Sequence, residues 1–216
     1  MKNKILKNNL GDKARRFHSP YDKIVSDKVA VSRVRSWKSR GFRVVIVDAV
    51  LDIPHYRHAD YFLACANLGD KLLVRIPSDE LISLKKDPRG PIISWDERAK
   101  HAAHYPYIDL IVSKSDFSGD WLNVYRPDVI VRSITNGTEL IEEYNNLALK
   151  YDQLGIELVV MDQYARRIPS QDLVKQGKLY STNKFSEDKF SGTIIKKRIE
   201  SRLIEDYLKS KSKLDK

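Results

Sequence analysis

Residues 51–58 read LDIPHYRH, two histidines three positions apart with an arginine between them, directly after an apolar run. Placed at i and i+3 on the first turn of a helix, His55 and His58 share one face. The unpaired N–H groups and macrodipole of such a turn draw phosphate toward it. An anion pocket is therefore the favoured reading. A polar surface turn is the plain alternative, and half of a metal site is a third. His101 and His104 form a second H-x-x-H, and two such pairs could supply four zinc ligands. Neither pair includes a cysteine and no H-E-x-x-H occurs, so no residue is assigned to a metal.

The elements that must position this loop follow an alternating rhythm. RVVIVDAVL, KLLVRIP, IDLIVS, PDVIVRSI and IELVVMD are short apolar, β-branched runs of the kind that buried parallel strands show. Between them lie predicted helices. DKIVSDKVAVSRVRSWKSRG places Val29, Val31, Val34 and Trp37 near helical spacing. HADYFLACANLGD turns Phe62, Leu63 and Ala66 inward and stops at Gly69. SWDERAKHAAHYP, DWLNVY and GTELIEEYNNLALKYDQLG follow, and SGTIIKKRIESRLIEDYLKSK closes the chain as a basic helix. Strands alternating with helices predict a doubly wound, Rossmann-like α/β domain with a parallel sheet. The expected organisation is a basic arm over 1–22, the α/β domain over 23–199 and a basic helical tail over 200–216. In such sheets ligands sit at the carboxyl ends of the strands, where LDIPHYRH falls.

Composition narrows the classes. The chain has 216 residues and a formal charge of +10. Residues 1–43 hold 13 Lys/Arg against 3 Asp/Glu, and 194–216 hold 8 against 4, while 44–193 hold 18 against 22. The basic excess therefore belongs to the ends, which are read first as solvated extensions and second as a nucleic-acid contact. No apolar stretch approaches the roughly 20 residues of a membrane span, and the basic, polar start lacks a signal peptide's apolar centre. Cys65 is the only cysteine and is expected to be buried and inert. A cytoplasmic protein is expected. Neither a Walker loop nor a G-x-G-x-x-G stretch is present.

Over about 23–133 the sequence resembles nucleotidyltransferases of the cytidylyltransferase type. It is most similar to the adenylyltransferase domain of ADP-heptose synthase, with phosphocholine and glycerol-phosphate cytidylyltransferases as wider relatives. Their G-x-F-D-x-x-H-x-G-H corresponds to AVLDIPHYRH, their L-G-D to NLGD and their S-D to the Ser78-Asp79 of PSDELISLKK. The R-P-I segment and E-R helix start correspond to DPRGPIISWDERA, K-P-D-V-L-V to RPDVIV, and S-T-T-x-I-R/K to SGTIIKKRI at 191–199.

The resemblance implies transfer of AMP or CMP from ATP or CTP to a phosphorylated sugar or polyol, with release of pyrophosphate. It implies His55 and His58 at the reacting α-phosphate and Lys85 on the acceptor's phosphate or the α-phosphate. Ser191, Thr193 and Lys196 would hold the outer phosphates, Arg98 would support the phosphate site, and Mg²⁺ would accompany the triphosphate. A homodimer is in keeping with such enzymes. The chain also departs from the pattern. Ala49 replaces a glycine, Leu51 a phenylalanine and Pro77 an asparagine, and SIT at 133–135 replaces G-G-D. Arg57 replaces the glycine inside the histidine motif, where it either fills the nucleotide's space or adds a phosphate ligand. Two other readings stay open: a catalytically impaired nucleotide or phosphometabolite binder, and a nucleic-acid-binding protein using the basic arm. Plain structural roles stand beside the functional ones: a solvated Lys85, an Arg98 paired with Asp96 or Glu97, a capping Thr193, and an Asp52 that caps the turn or orients His55.

Overall fold

The computed structural model describes residues 19–85, 88–115, 120–133, 141–161, 165, 167–168 and 192–214. Five strands run parallel: β1 (Val44–Asp48), β2 (Lys71–Pro77), β3 (Leu110–Lys114), β4 (Val129–Ser133) and β5 (Glu157–Met161). A two-residue β6 (Arg167–Ile168) joins β5 antiparallel at the edge, and the sheet order is β3-β2-β1-β4-β5-β6. The order reverses between β1 and β4, the switch point at which open α/β sheets leave a crevice. The sheet is Rossmann-like, as the alternating pattern predicts.

Helices α1 (Asp27–Ser39), α2 (Tyr56–Ala66), α3 (Asp79–Lys85), α4 (Trp95–Ala103), α5 (Asp120–Tyr125), α6 (Ile141–Gln153) and α7 (Gly192–Leu214) complete the described elements. Because side chains alternate along a strand, β1 feeds two cores. Val45 and Val47 pack with Phe62 and Cys65 of α2 and Ala99 and Ala102 of α4. Val44 and Ile46 pack with Ala30 and Val34 of α1 and Tyr125 of α5. Burial on both faces is why the strand runs are continuously apolar rather than alternating.

Several local expectations are corrected. On α1, Ala30 and Val34 are buried while Val29 is 40% exposed. On α2, Phe62 and Cys65 form the inner row, and Leu63, about 100° further round, faces out. α2 also begins earlier than its apolar pattern suggests, at Tyr56 with His55 as N-cap. α3 and β6 are not read from the pattern at all. The boundary expected at 199/200 falls inside the single helix α7. Among the described residues no helix is long and apolar enough to cross a membrane.

Candidate active site at the carboxyl ends of β1 and β2

After β1 the chain must turn sharply to start α2. Leu51 makes that turn at φ +57°, a conformation costing a non-glycine residue about 1–2 kcal/mol. Its side chain is 1% exposed in the core, and that burial offsets the strain. The turn delivers Asp52 and then His55, which enters α2 as an extended N-cap (φ −146°, ψ 169°). His58 sits at the third helical position, and its Nδ1 accepts the backbone N–H of His55 at 3.2 Å. The rings lie face to face at a tilt, with centroids 4.1 Å apart.

This geometry fixes the chemistry of His58. Burial, then the neighbouring charge of His55, push its pKa from 6.5 down to about 4, so the ring is neutral at pH 7. With Nδ1 accepting a hydrogen bond, the proton of the neutral ring belongs on Nε2. His58 is thus a neutral hydrogen-bond donor, a form suited to charge that develops in a transition state.

Asp52 gathers three segments. Its Oδ1 accepts the N–H groups of Ile92 (2.7 Å) and Ile93 (3.0 Å), while Oδ2 pairs with Lys196 of α7. Burial pushes the Asp52 carboxyl up, but the hydrogen bonds from Lys196 and the two amides outweigh it and hold the pKa below its usual value. The same contacts bring the first turns of α7 beside the start of α2. The N-terminus of α2 and the lysine fixed by Asp52 then bear on the LDIPHYRH loop, and both favour an anion.

Arg98 corrects the plain expectation made for it. It is not an exposed partner of Asp96 or Glu97, because it is fully buried and engaged with protein oxygens. Its Nε donates to the Ile93 carbonyl (3.0 Å), one terminal nitrogen to Val50 (2.6 Å), and the other to Pro77 (2.9 Å) and the Asp79 carboxylate (2.5 Å). The guanidinium fork staples the loop after β1, the end of β2 and the start of α3 into one frame. The separate S-D and E-R matches are thereby joined in one ion pair, Asp79–Arg98.

The remaining site residues are placed as follows. Arg57 turns toward its neighbour: its Nε lies 3.3 Å from the Tyr56 hydroxyl and its guanidinium 5.8 Å from that ring's centre, at the exposed surface. Lys85 ends α3, and Thr193 is the second residue of α7; both are described through the backbone only. Ser191 lies outside the described residues. The second histidine pair serves other contacts, His101 Nε2 with the Tyr105 hydroxyl (3.0 Å) and His104 Nε2 with that of Tyr21 (3.5 Å). Among the described residues no three His, Cys, Asp or Glu side chains gather as a metal site. Cys65 is buried, and that burial pushes its thiol up to about 12 and leaves it inert.

One cluster was missed from the sequence. At the ends of β1, β2 and β3, Asp48 pairs with Lys114 Nζ at 2.6 Å and lies 3.5 Å from Arg75 Nε, while the Arg75 guanidinium stacks 3.8 Å over Trp121. The available signal was a charge at the end of VVIVD and another interrupting KLLVRIP.

The chain belongs to the cytidylyltransferase-like family, whose pattern matches residues 46–198. It is 32% identical over 112 residues to the bifunctional protein HldE of Methylobacillus flagellatus, covering 51% of this chain and 23% of that protein. It is likewise 32% identical over 114 residues to the HldE of Syntrophotalea carbinolica, covering 50% and 23%. The chain thus matches about a quarter of these curated relatives' length. A lipopolysaccharide core biosynthesis protein from Thermoplasma volcanium superposes with a TM-score of 0.47 at 21% identity, over 56% of this chain and 96% of that one.

Proposed function

We propose that the protein is a nucleotidyltransferase that moves AMP or CMP from ATP or CTP to a phosphorylated sugar or polyol. A phosphate oxygen of the acceptor forms the new bond to the α-phosphorus. The bond from that phosphorus to the bridging oxygen breaks, and pyrophosphate leaves with its electron pair. The acceptor's phosphate is already anionic, so the attack needs no general base.

The observation that carries this reading is the His55–His58 pair at the head of α2, tied through Asp52 to Lys196 of α7. The task such a site performs is to align two anions and neutralise their repulsion, which positioning and preorganised donors accomplish. His58, neutral with its proton on Nε2, suits the reacting phosphate, with His55 beside it. Lys196, Thr193 and Ser191 are assigned to the outer phosphates at the start of α7, and Lys85 to the acceptor's or the α-phosphate. Arg57 is assigned as an added cation at the rim. Arg98 acts through the frame it holds. Family membership and the HldE relatives support the same class.

Magnesium is assigned to the triphosphate itself, where it would neutralise phosphate charge. The described donors fit that placement, since imidazoles and a lysine do not compete for a hard cation and Asp52 is already engaged. The test is pyrophosphate release by purified protein across ATP, CTP, GTP and UTP with a panel of phosphorylated sugars and polyols. Release that requires both substrates, and falls about 100-fold or more in His58→Ala, upholds the reading. No release from any pair overturns it.

A second reading, a nucleotide or phosphometabolite binder without turnover, is favoured by Arg57 and Ala49 in the motif. Ligand-induced thermal stabilisation with no pyrophosphate would select it.

A further inference from the structure

We infer that Asp52 is a positioning residue that fixes Lys196, and with it the second turn of α7, against the loop that leads into His55 and His58. The inference rests on the nucleotidyltransferase reading for its functional consequence. Its two carboxylate oxygens have separate jobs. Oδ1 is committed to the amides of Ile92 and Ile93, and that loop is itself held by Arg98 through the Ile93 carbonyl. Oδ2, on a side chain only 12% exposed, faces Lys196. The carboxylate is therefore anchored before the lysine arrives.

The anchoring matters because several other described side chains along α7 are largely exposed. Arg89 and Glu200 lie 3.6 Å apart, but their side chains are 78% and 55% exposed, and such pairs contribute little. Further along, Ile199, Leu203 and Ile204 are 48%, 64% and 59% exposed, so those side chains do not bury the helix against the domain. A helix gains most of its stability from burying one face, and among the described residues of α7 the Asp52–Lys196 pair is a well-shielded contact with the domain. A lysine stem is flexible, and holding it in one place removes an ordering cost that a phosphate would otherwise meet on binding. Asp52 thereby turns Lys196 from a solvated cation into a preorganised one, without touching the ligand itself.

The experiment compares wild type with Asp52→Asn, Lys196→Met, Lys196→Arg and the Asp52→Asn/Lys196→Met double variant. Asparagine keeps an oxygen for the amides of Ile92 and Ile93, so it removes the tie and spares the loop. Lys196→Met acts from the exposed side and keeps the tie testable even if Asp52→Asn fails to fold. Two readouts are taken: hydrogen exchange of amides 196–200, and calorimetric Kd for MgATP, MgCTP and inorganic tripolyphosphate. Asp52→Asn and Lys196→Met are each expected to lose at least tenfold in exchange protection and in affinity. The double variant should bind within twofold of Lys196→Met, and Lys196→Arg should stay close to wild type. An Asp52→Asn protein within twofold of wild type in both readouts, or single effects that multiply in the double variant, would overturn the inference. If wild type binds none of the three ligands, the transferase reading falls and exchange alone decides. Protection lost in Asp52→Asn then upholds the docking role, and unchanged protection removes it.

Discussion

His58 titrates against its surroundings, and the sign of the effect can be worked out. Burial and the nearby His55 hold its pKa at about 4 in the folded chain against 6.5 ordinarily. The unfolded chain therefore takes up the proton first as the pH falls. The stabilisation is fully present above pH 6.5 and is lost as the pH drops toward 4, about 3 kcal/mol in all. Urea unfolding at pH 7 and pH 4.5 should show that loss in wild type and a smaller one in His58→Gln. Equal losses would place the titrating group elsewhere. Arg98 gives a second test at this scale. Replacing it with Met strands three carbonyls and takes one partner from the Asp79 carboxylate, so a loss of about 3–5 kcal/mol is expected in the same assay. A variant as stable as wild type would return Arg98 to the ligand role. The imidazoles were legible in the sequence because their spacing is local to one helical turn. Arg98 was not, because its partners at Val50, Pro77, Asp79 and Ile93 are brought to it only by the folded sheet.

At the scale of elements, the strands were readable from continuous apolar runs because those runs are too short for helices and rich in β-branched residues. α3 was hidden because DELISLK is too short for a periodicity to declare itself. Leu63 and Val29 were misplaced for a related reason: a helix buries one stripe, and a nearby apolar residue outside it looks the same in a one-dimensional pattern. The NLGD turn shows how a motif residue earns its place. A Cβ on Gly69 would stand 2.7 Å from the Arg43 carbonyl oxygen, and the next residue, Asp70, accepts the Arg43 N–H at 2.7 Å. Gly69→Ala must push α2 and β1 apart and should cost about 1–3 kcal/mol. Thermal unfolding checks this, and an unchanged midpoint would show that the turn has room to give.

For the whole molecule, charge and topology divide the labour. The sheet's switch point carries the site, while most of the basic excess sits at the chain ends, outside 44–193. Removal of residues 1–18 should therefore leave pyrophosphate release within twofold of the full chain. If the arm instead serves nucleic acid, the same truncation would abolish a salt-dependent affinity for DNA or RNA. The family assignment was legible from the order of the motifs; what they do together was not. NLGD is a tight turn, the S-D and E-R segments are joined by one ion pair on a buried arginine, and the S-T-T-like segment meets the histidine loop through Asp52.

The most direct test is a quantitative pyrophosphate assay on the full chain, with ATP or CTP, magnesium and a panel of phosphorylated sugars and polyols. Release dependent on both substrates, and lost in His55→Ala and His58→Ala while both variants stay folded, is the predicted result. Absence of release with every pair, or release indifferent to both histidines, would contradict a transferase built on that pair.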